Sequence, residues 1–171
     1  VMIADNKGQI GIVSLDSNDI EMIDLTTVDK TRTYKEMHFN NTPVEILENS
    51  ENSSTAINQS IDAGRIILAA DSIGASQSML DKAVEYSKER KQFNRVIGSF
   101  QAVKHMCAEM AAELEPCYSL VWHAAHSFDN NEKDSRLMAC HAKSHVSEIS
   151  KMVSKKSTEV HGGMGFTDLL G

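Results

Sequence analysis

The chain has 171 residues, 41% of them hydrophobic and 24% charged, and a formal net charge of −7. That size bounds it to one domain or parts of two, and the acidic balance excludes a general attraction to nucleic acid. No run approaches the ~18 consecutive apolar residues of a membrane span, and the opening VMIADNKGQIGIV has neither the basic start nor the apolar core of a secretory signal. A cytoplasmic location is the default expectation. Both ends, at Val1 in a strand-like run and at GFTDLLG, read as cut from something larger.

Residues 1–47 predict strands. IGIVSLD and IEMIDL are short β-rich runs separated by the turn-like DSND. TYKEMHFNN alternates with a period of two, which sets Met37 and Phe39 on one face. Pro43 in NTPVEIL stands where a ladder N–H is not required and closes the strand region. Residues 48–56, ENSENSSTA, predict a polar linker. The expected division is residues 1–50 as one domain and 57–171 as a helical domain.

A first helix is predicted over 58–89, with Ile66, Ala70, Ile73, Gln77, Leu80 and Val84 recurring at three or four. Ala69, Gly74 and Ala75 on it are small enough for close helix approach. The second carries a stripe of Val103, Met106, Met110, Leu114, Cys117, Val121, Ala124 and Phe128, and Pro116 inside it predicts a kink. After the turn DNNEKD, a third runs from Ser135 to Val160 with Met138, Ala142, Val146, Ile149, Val153 and Lys156 on one face. HGG stops it, with Gly162 suited to a left-handed helix end. The fold class is mainly α: an antiparallel up-down helical bundle, three of four helices, preceded by a small antiparallel β segment. Three helices leave an apolar flank open, so a fourth helix or a partner is expected to cover it. Cys107, Cys117 and Cys140 are odd in number, lack CxxC spacing and fall within helices, which predicts buried free thiols.

Three places carry candidate chemistry. In KERKQFNRVIGSFQAVK, residues 88–104, Arg90, Lys91 and Arg95 put three positive charges within six residues. Phe93 adds a flat apolar face, and Gln92 and Gln101 add amides. A pyrophosphate bearing an aromatic ring fits that inventory. The plain alternative, which the residue types alone favour, is a solvated basic loop at a helix C-terminus. In EVHGGMGF, Gly162, Gly163 and Gly165 allow close backbone approach to a ligand, or simply end a helix. In DAGR, Asp62 suits a helix start and Arg65 is placed to pair with it, which needs no ligand. His141 and His145 are four apart, but no HExxH accompanies them and no metal is expected. His123 and His126 read as surface residues. GxSxG, Walker A and Rossmann motifs do not occur.

Taken in order, DKTR, DAGRIILAA, YSKERKQFNRVIGSFQAVKHMCAEM and EVHGGMGFT resemble the C-terminal half of a flavin-dependent acyl-CoA dehydrogenase, over nearly the whole chain. The resemblance implies the end of a middle β domain followed by an incomplete C-terminal bundle. It implies FAD at a subunit interface in a homotetramer or homodimer, with a heteromer as the alternative. It also implies an acyl-CoA substrate, an electron-transfer flavoprotein as acceptor, and α,β-dehydrogenation of the thioester to the trans-2-enoyl-CoA. By position, Arg90 would pair with the FAD pyrophosphate, Gln92 and Phe93 would flank the adenosine side, and Gln101 would hydrogen-bond the cofactor. The EVHGG segment, Glu159 to Gly163 with Gly162 and Gly163 at its end, would bring backbone against it, and Asp62 and Arg65 fall where some family members contact the acyl-CoA.

There are departures from the family pattern. Glu159 replaces the usual Gln, which sets a carboxylate near a pyrophosphate, and Asn94 replaces the usual Gly. The family's catalytic Glu lies beyond GGxGFT or, in some members, on the first long helix, where this chain has Gly64. No catalytic residue is therefore assigned, and the chain by itself is expected to be inactive. A non-catalytic subunit of the same family and a plain helical oligomerisation module are the alternatives.

Overall fold

Short strands rich in Ile and Met precede three long helices in the computed structural model, which describes residues 2–4, 9–16, 19–47, 53–167 and 169. The chain divides into two units, residues 1–58 and 59–171. In the first, strands β1 (Met2–Ala4), β2 (Ile10–Ile12) and β5 (Glu45–Ile46) form an antiparallel sheet in the order β1-β2-β5. Strands β3 (Ile20–Leu25) and β4 (Tyr34–Phe39) form a separate two-stranded ladder, with Met22 opposite Met37 and Ile20 opposite Phe39. Met37 and Phe39 share a face as the alternation predicts, yet only Met37 is half-buried. A two-stranded ribbon has little to bury its side chains against. Val13 is fully buried. Part of the DSND turn and most of the 48–56 linker lie outside the described residues.

Helix α1 (Ser54–Glu89) starts four residues earlier than the sequence predicts. The backbone N–H of Ile57 already bonds the carbonyl of Ser53 at 2.9 Å. It is followed by a tight hairpin of β6 (Lys91–Gln92) and β7 (Arg95–Val96) and a 3-10 turn at Ile97–Ser99. Helices α2 (Gln101–Asp129) and α3 (Ser135–His161) complete the unit. Pro116 sits inside α2, which runs through it unbroken.

The contacts fix the directions. Ser76 meets Ser150, and Ser157 bonds the carbonyl of Met79, so α1 and α3 run parallel. Glu109 pairs with Lys156, so α2 runs against α3. This is the up-down-up arrangement that the short connections require.

The core is built from the stripes the sequence displays on α2 and α3: Met110, Leu114, Cys117 and Ala124 share one buried cluster with Ala142, Val146 and Val153. On α1 the buried line is Asp62, Ile66, Ala69, Ile73, Ser76, Leu80, Ala83 and Ser87. This corrects the expected stripe at three places, because Ala70 is exposed and Gln77 and Val84 are half-buried while Ala69, Ser76 and Ala83 are buried. Small residues let α1 approach α3 closely. Ser76 Oγ lies 2.7 Å from the Ser72 carbonyl and 2.9 Å from Ser150 Oγ, which answers its buried polar group. No helix among the described residues is long and apolar enough to cross a membrane.

Candidate functional site

Arg90 ends α1: its N–H bonds the Tyr86 carbonyl at 2.9 Å, and its own carbonyl takes the Ile97 N–H at 2.8 Å. That second bond closes the hairpin, whose two-residue loop is Phe93 and Asn94. Both have positive φ, 53° and 62°, as a type I′ turn demands. Asn94 accepts that conformation readily, and Phe93 adopts it only because the paired flanks hold it. Gly98 allows the following turn to lie on α1, since a Cβ there would stand 2.8 Å from the Ser87 carbonyl oxygen.

The three cations of this loop separate in the structure. The Arg95 guanidinium lies 3.8 Å over the Phe100 ring, a cation–π contact. Lys91 is exposed on the hairpin. The Arg90 guanidinium has no hydrogen-bond or ion-pair partner among the described residues. Arg90 instead borders a concavity of about 390 Å³ between the C-terminal ends of α1 and α3, with Tyr86, Gln92, Ile97, His161, Gly162 and Gly163 around it.

The α3 side of this concavity is shaped by Gly162, which has φ 59° and ψ −136°. This differs from the left-handed helical conformation expected at a helix end: the ψ value belongs to a region only glycine enters. A Cβ on Gly162 or Gly163 would meet nothing within 4 Å, so the main chain there is open to a ligand. Gly165 differs, since a Cβ on it would stand 2.6 Å from the Thr158 carbonyl oxygen; its smallness serves internal packing.

Of the residues singled out from the sequence, Arg90, Gln92, Gly162 and Gly163 come together. Phe93 does not line the concavity; it stands 87% exposed at the hairpin tip, its ring edge-on to Phe100 at 6.1 Å. Gln101 is exposed on the first turn of α2, its amide 3.4 Å from His105 Nε2. Glu159 lines a different surface hollow with Glu148, Lys151 and Lys155. Two positions before His161 on a helix is a rotation of about 200°, which sets Glu159 on the opposite side of α3 from His161. Tyr86 and His161 also line the concavity, and neither side chain was singled out in the sequence, although His161 lies within the EVHGG segment. Their signal was present: Tyr86 lies one helical turn before Arg90, and His161 directly precedes the glycine pair.

Asp62 and Arg65 form an ion pair near the other end of α1, with Asp62 5% exposed. Twenty-five positions separate Arg65 from Arg90, about 37 Å along a helix. His141 and His145 meet edge to face at 6.3 Å, and no group of three metal-ligating side chains occurs among the described residues. The cysteines are free: Cys117 is buried, Cys107 and Cys140 partly so. Burial pushes the Cys107 thiol pKa up. Burial, aided by the nearby Glu113 carboxylate, does the same to Cys117.

Residues 54–170 match the family described as acyl-CoA dehydrogenase, C-terminal domain. The chain is 34% identical over 166 residues to subunit CarC of the caffeyl-CoA reductase-Etf complex of Acetobacterium woodii, which covers 97% of this chain and 40% of that relative. It is 37% identical over 108 residues to 3-(aryl)acrylate reductase of Clostridium sporogenes, covering 63% of this chain and 28% of the relative. The solved structure of butyryl-CoA dehydrogenase from Megasphaera elsdenii matches with a TM-score of 0.86 at 26% identity, over 95% of this chain and 44% of that one. The chain thus spans less than half the length of these relatives.

Proposed function

The chain belongs to the acyl-CoA dehydrogenase family, and from that premise we propose that it forms the cofactor-gripping bundle of an FAD-dependent oxidoreductase acting on the α,β carbon–carbon bond of an acyl-CoA thioester. The observation that carries this reading is the Arg90 guanidinium, without a partner among the described residues, grouped with Gln92, Gly162 and Gly163 around one concavity. A guanidinium, a side-chain amide and exposed main chain are the donor set a pyrophosphate needs. FAD, when bound, supplies the hydride acceptor or donor that the protein itself lacks. The residues named here bind and orient; the proton of the thioester α-carbon is left to a base outside this set, since Gly64 offers none.

Assembly of two or four chains follows from the same reading. The Asp62–Arg65 pair, proposed to contact acyl-CoA, and Arg90 stand about 37 Å apart on one helix. One chain therefore presents its two ends to different sites, and its Arg90 end serves a neighbour's cofactor. Phe93, exposed at the hairpin tip, suits the adenosine side of that neighbour's site, and Gln101 lies on the adjacent turn. Glu159 faces away, which removes its carboxylate from the pyrophosphate.

Dehydrogenation of a saturated acyl-CoA is the first reading of direction. Reduction of the enoyl-CoA is the second, favoured by the 166-residue match to a caffeyl-CoA reductase subunit. That relative's name also supports an electron-transfer flavoprotein as the redox partner. The binding test is titration of FAD into the protein and its Arg90→Ala variant. A tenfold to hundredfold weaker affinity in the variant, the worth of a charge-assisted hydrogen bond, is expected; equal affinities would refute the assignment. The reaction test follows the visible flavin band without oxygen. Bleaching by a saturated acyl-CoA supports dehydrogenation, and reoxidation of reduced flavin by an enoyl-CoA alone supports reduction.

A further inference from the structure

His161 is the last residue of α3 and only 7% exposed. Its Nδ1 lies 2.7 Å from the Ser157 carbonyl oxygen, and its ring packs on Tyr86 with centroids 4.7 Å apart. A carbonyl only accepts, so Nδ1 carries the proton of that bond. In the neutral ring Nε2 is then a bare lone pair. It has no partner among the described residues, although buried polar atoms are almost always paired. His161 lines the same concavity as Arg90, while its Nδ1 is engaged on α3.

We propose that His161 Nε2 accepts a hydrogen bond from a sugar or ribityl hydroxyl of the dinucleotide bound at this concavity. The inference rests on the proposed cofactor site and adds a contact to it. Tyr86 and Arg90 are the titratable side chains bordering the concavity besides His161 itself. Arg90 takes the charge of the ligand, and His161 reads the hydroxyl beside it. Tyr86 and Ser157 hold the imidazole in the tautomer that does so.

The test combines NMR of the imidazole nitrogens with two variants. In the unaltered protein, adding FAD is expected to shift the His161 Nε2 resonance while Nδ1 stays protonated. ADP producing the same shift places the hydroxyl on the ribose; a shift with FAD alone places it on the ribityl chain. His161→Asn keeps a group at the Nδ1 position and loses Nε2, and about tenfold weaker FAD binding is expected. His161→Gln retains a polar atom near Nε2 and is expected to recover most of that loss. No Nε2 shift, protonation of the ring on binding, or unchanged affinity in His161→Asn would each overturn the assignment. Arg90→Ala separates the cases: if it weakens binding while His161→Asn does not, only the histidine contact fails, whereas indifference to both removes the site.

Discussion

Gly98 and Gly163 occupy the same region and have opposite tolerances. A methyl at Gly98 would meet backbone of α1 at 2.8 Å, which cannot yield cheaply. Gly98→Ala is expected to cost about 1–3 kcal/mol, and Gly163→Ala, facing open space, no more than about 0.5 kcal/mol; urea midpoints of the two variants check this. The thiols give a pH dependence. Cys107 and Cys117 have folded pKa values raised above those of the unfolded chain, so the unfolded state loses protons first as the pH rises. Their contribution to stability is fully present below the ordinary thiol value of ~8.5 and is lost as the pH climbs through the raised values. Urea unfolding from neutral to alkaline pH should show that decline, and a Cys107→Ala, Cys117→Ala double variant should flatten it. That Arg90 and the glycine pair could come together was suggested by the sequence, because their chemistry is unusual for a surface, and they share one concavity. The position of His161 beside the glycines was legible, but its burial was not, because a histidine at a helix end looks solvated until the ring is seen against Tyr86.

Helices α2 and α3 follow their apolar stripes because both pack through large side chains, and burial of these is what the 3.6-residue period records. Helix α1 departs from that logic where it meets α3. There the buried positions are Ala69, Ser76 and Ala83, chosen for size, and a reading based on hydrophobicity moves one position off them. The serines also tie the helices. Ser157 Oγ donates to the Met79 carbonyl at 3.0 Å, so Ser157→Ala is expected to cost about 1 kcal/mol. Ser157→Leu, which overfills the same contact, should cost more, and thermal unfolding of both variants measures the difference. The strand ladders were legible as strands, but their depth was not, since alternation sets which residues share a face without supplying anything to cover it.

At the scale of the molecule, the open flank expected of three helices is present. Ile66, Ile67, Ala70, Tyr118, Val121 and Trp122 line an apolar groove of about 420 Å³ between α1 and α2, and the only tryptophan is 76% exposed. If chains associate through this flank, Trp122 emission moves to shorter wavelength as concentration rises, in step with sedimentation. Trp122→Lys should abolish the concentration dependence, and a variant that still self-associates would place the contact elsewhere. A last consequence follows from the unbroken run of α1 between the Asp62–Arg65 pair and Arg90. A helix is a screw as well as a strut. Removing one residue between Ile66 and Tyr86 would shorten the span by only about 1.5 Å but turn one end against the other by about 100°. Removing seven would shorten it by about 10 Å and turn it by only about 20°. The two ends are therefore held in phase more strictly than in distance, and loss of one residue should disrupt the arrangement of the ends more than loss of a whole heptad.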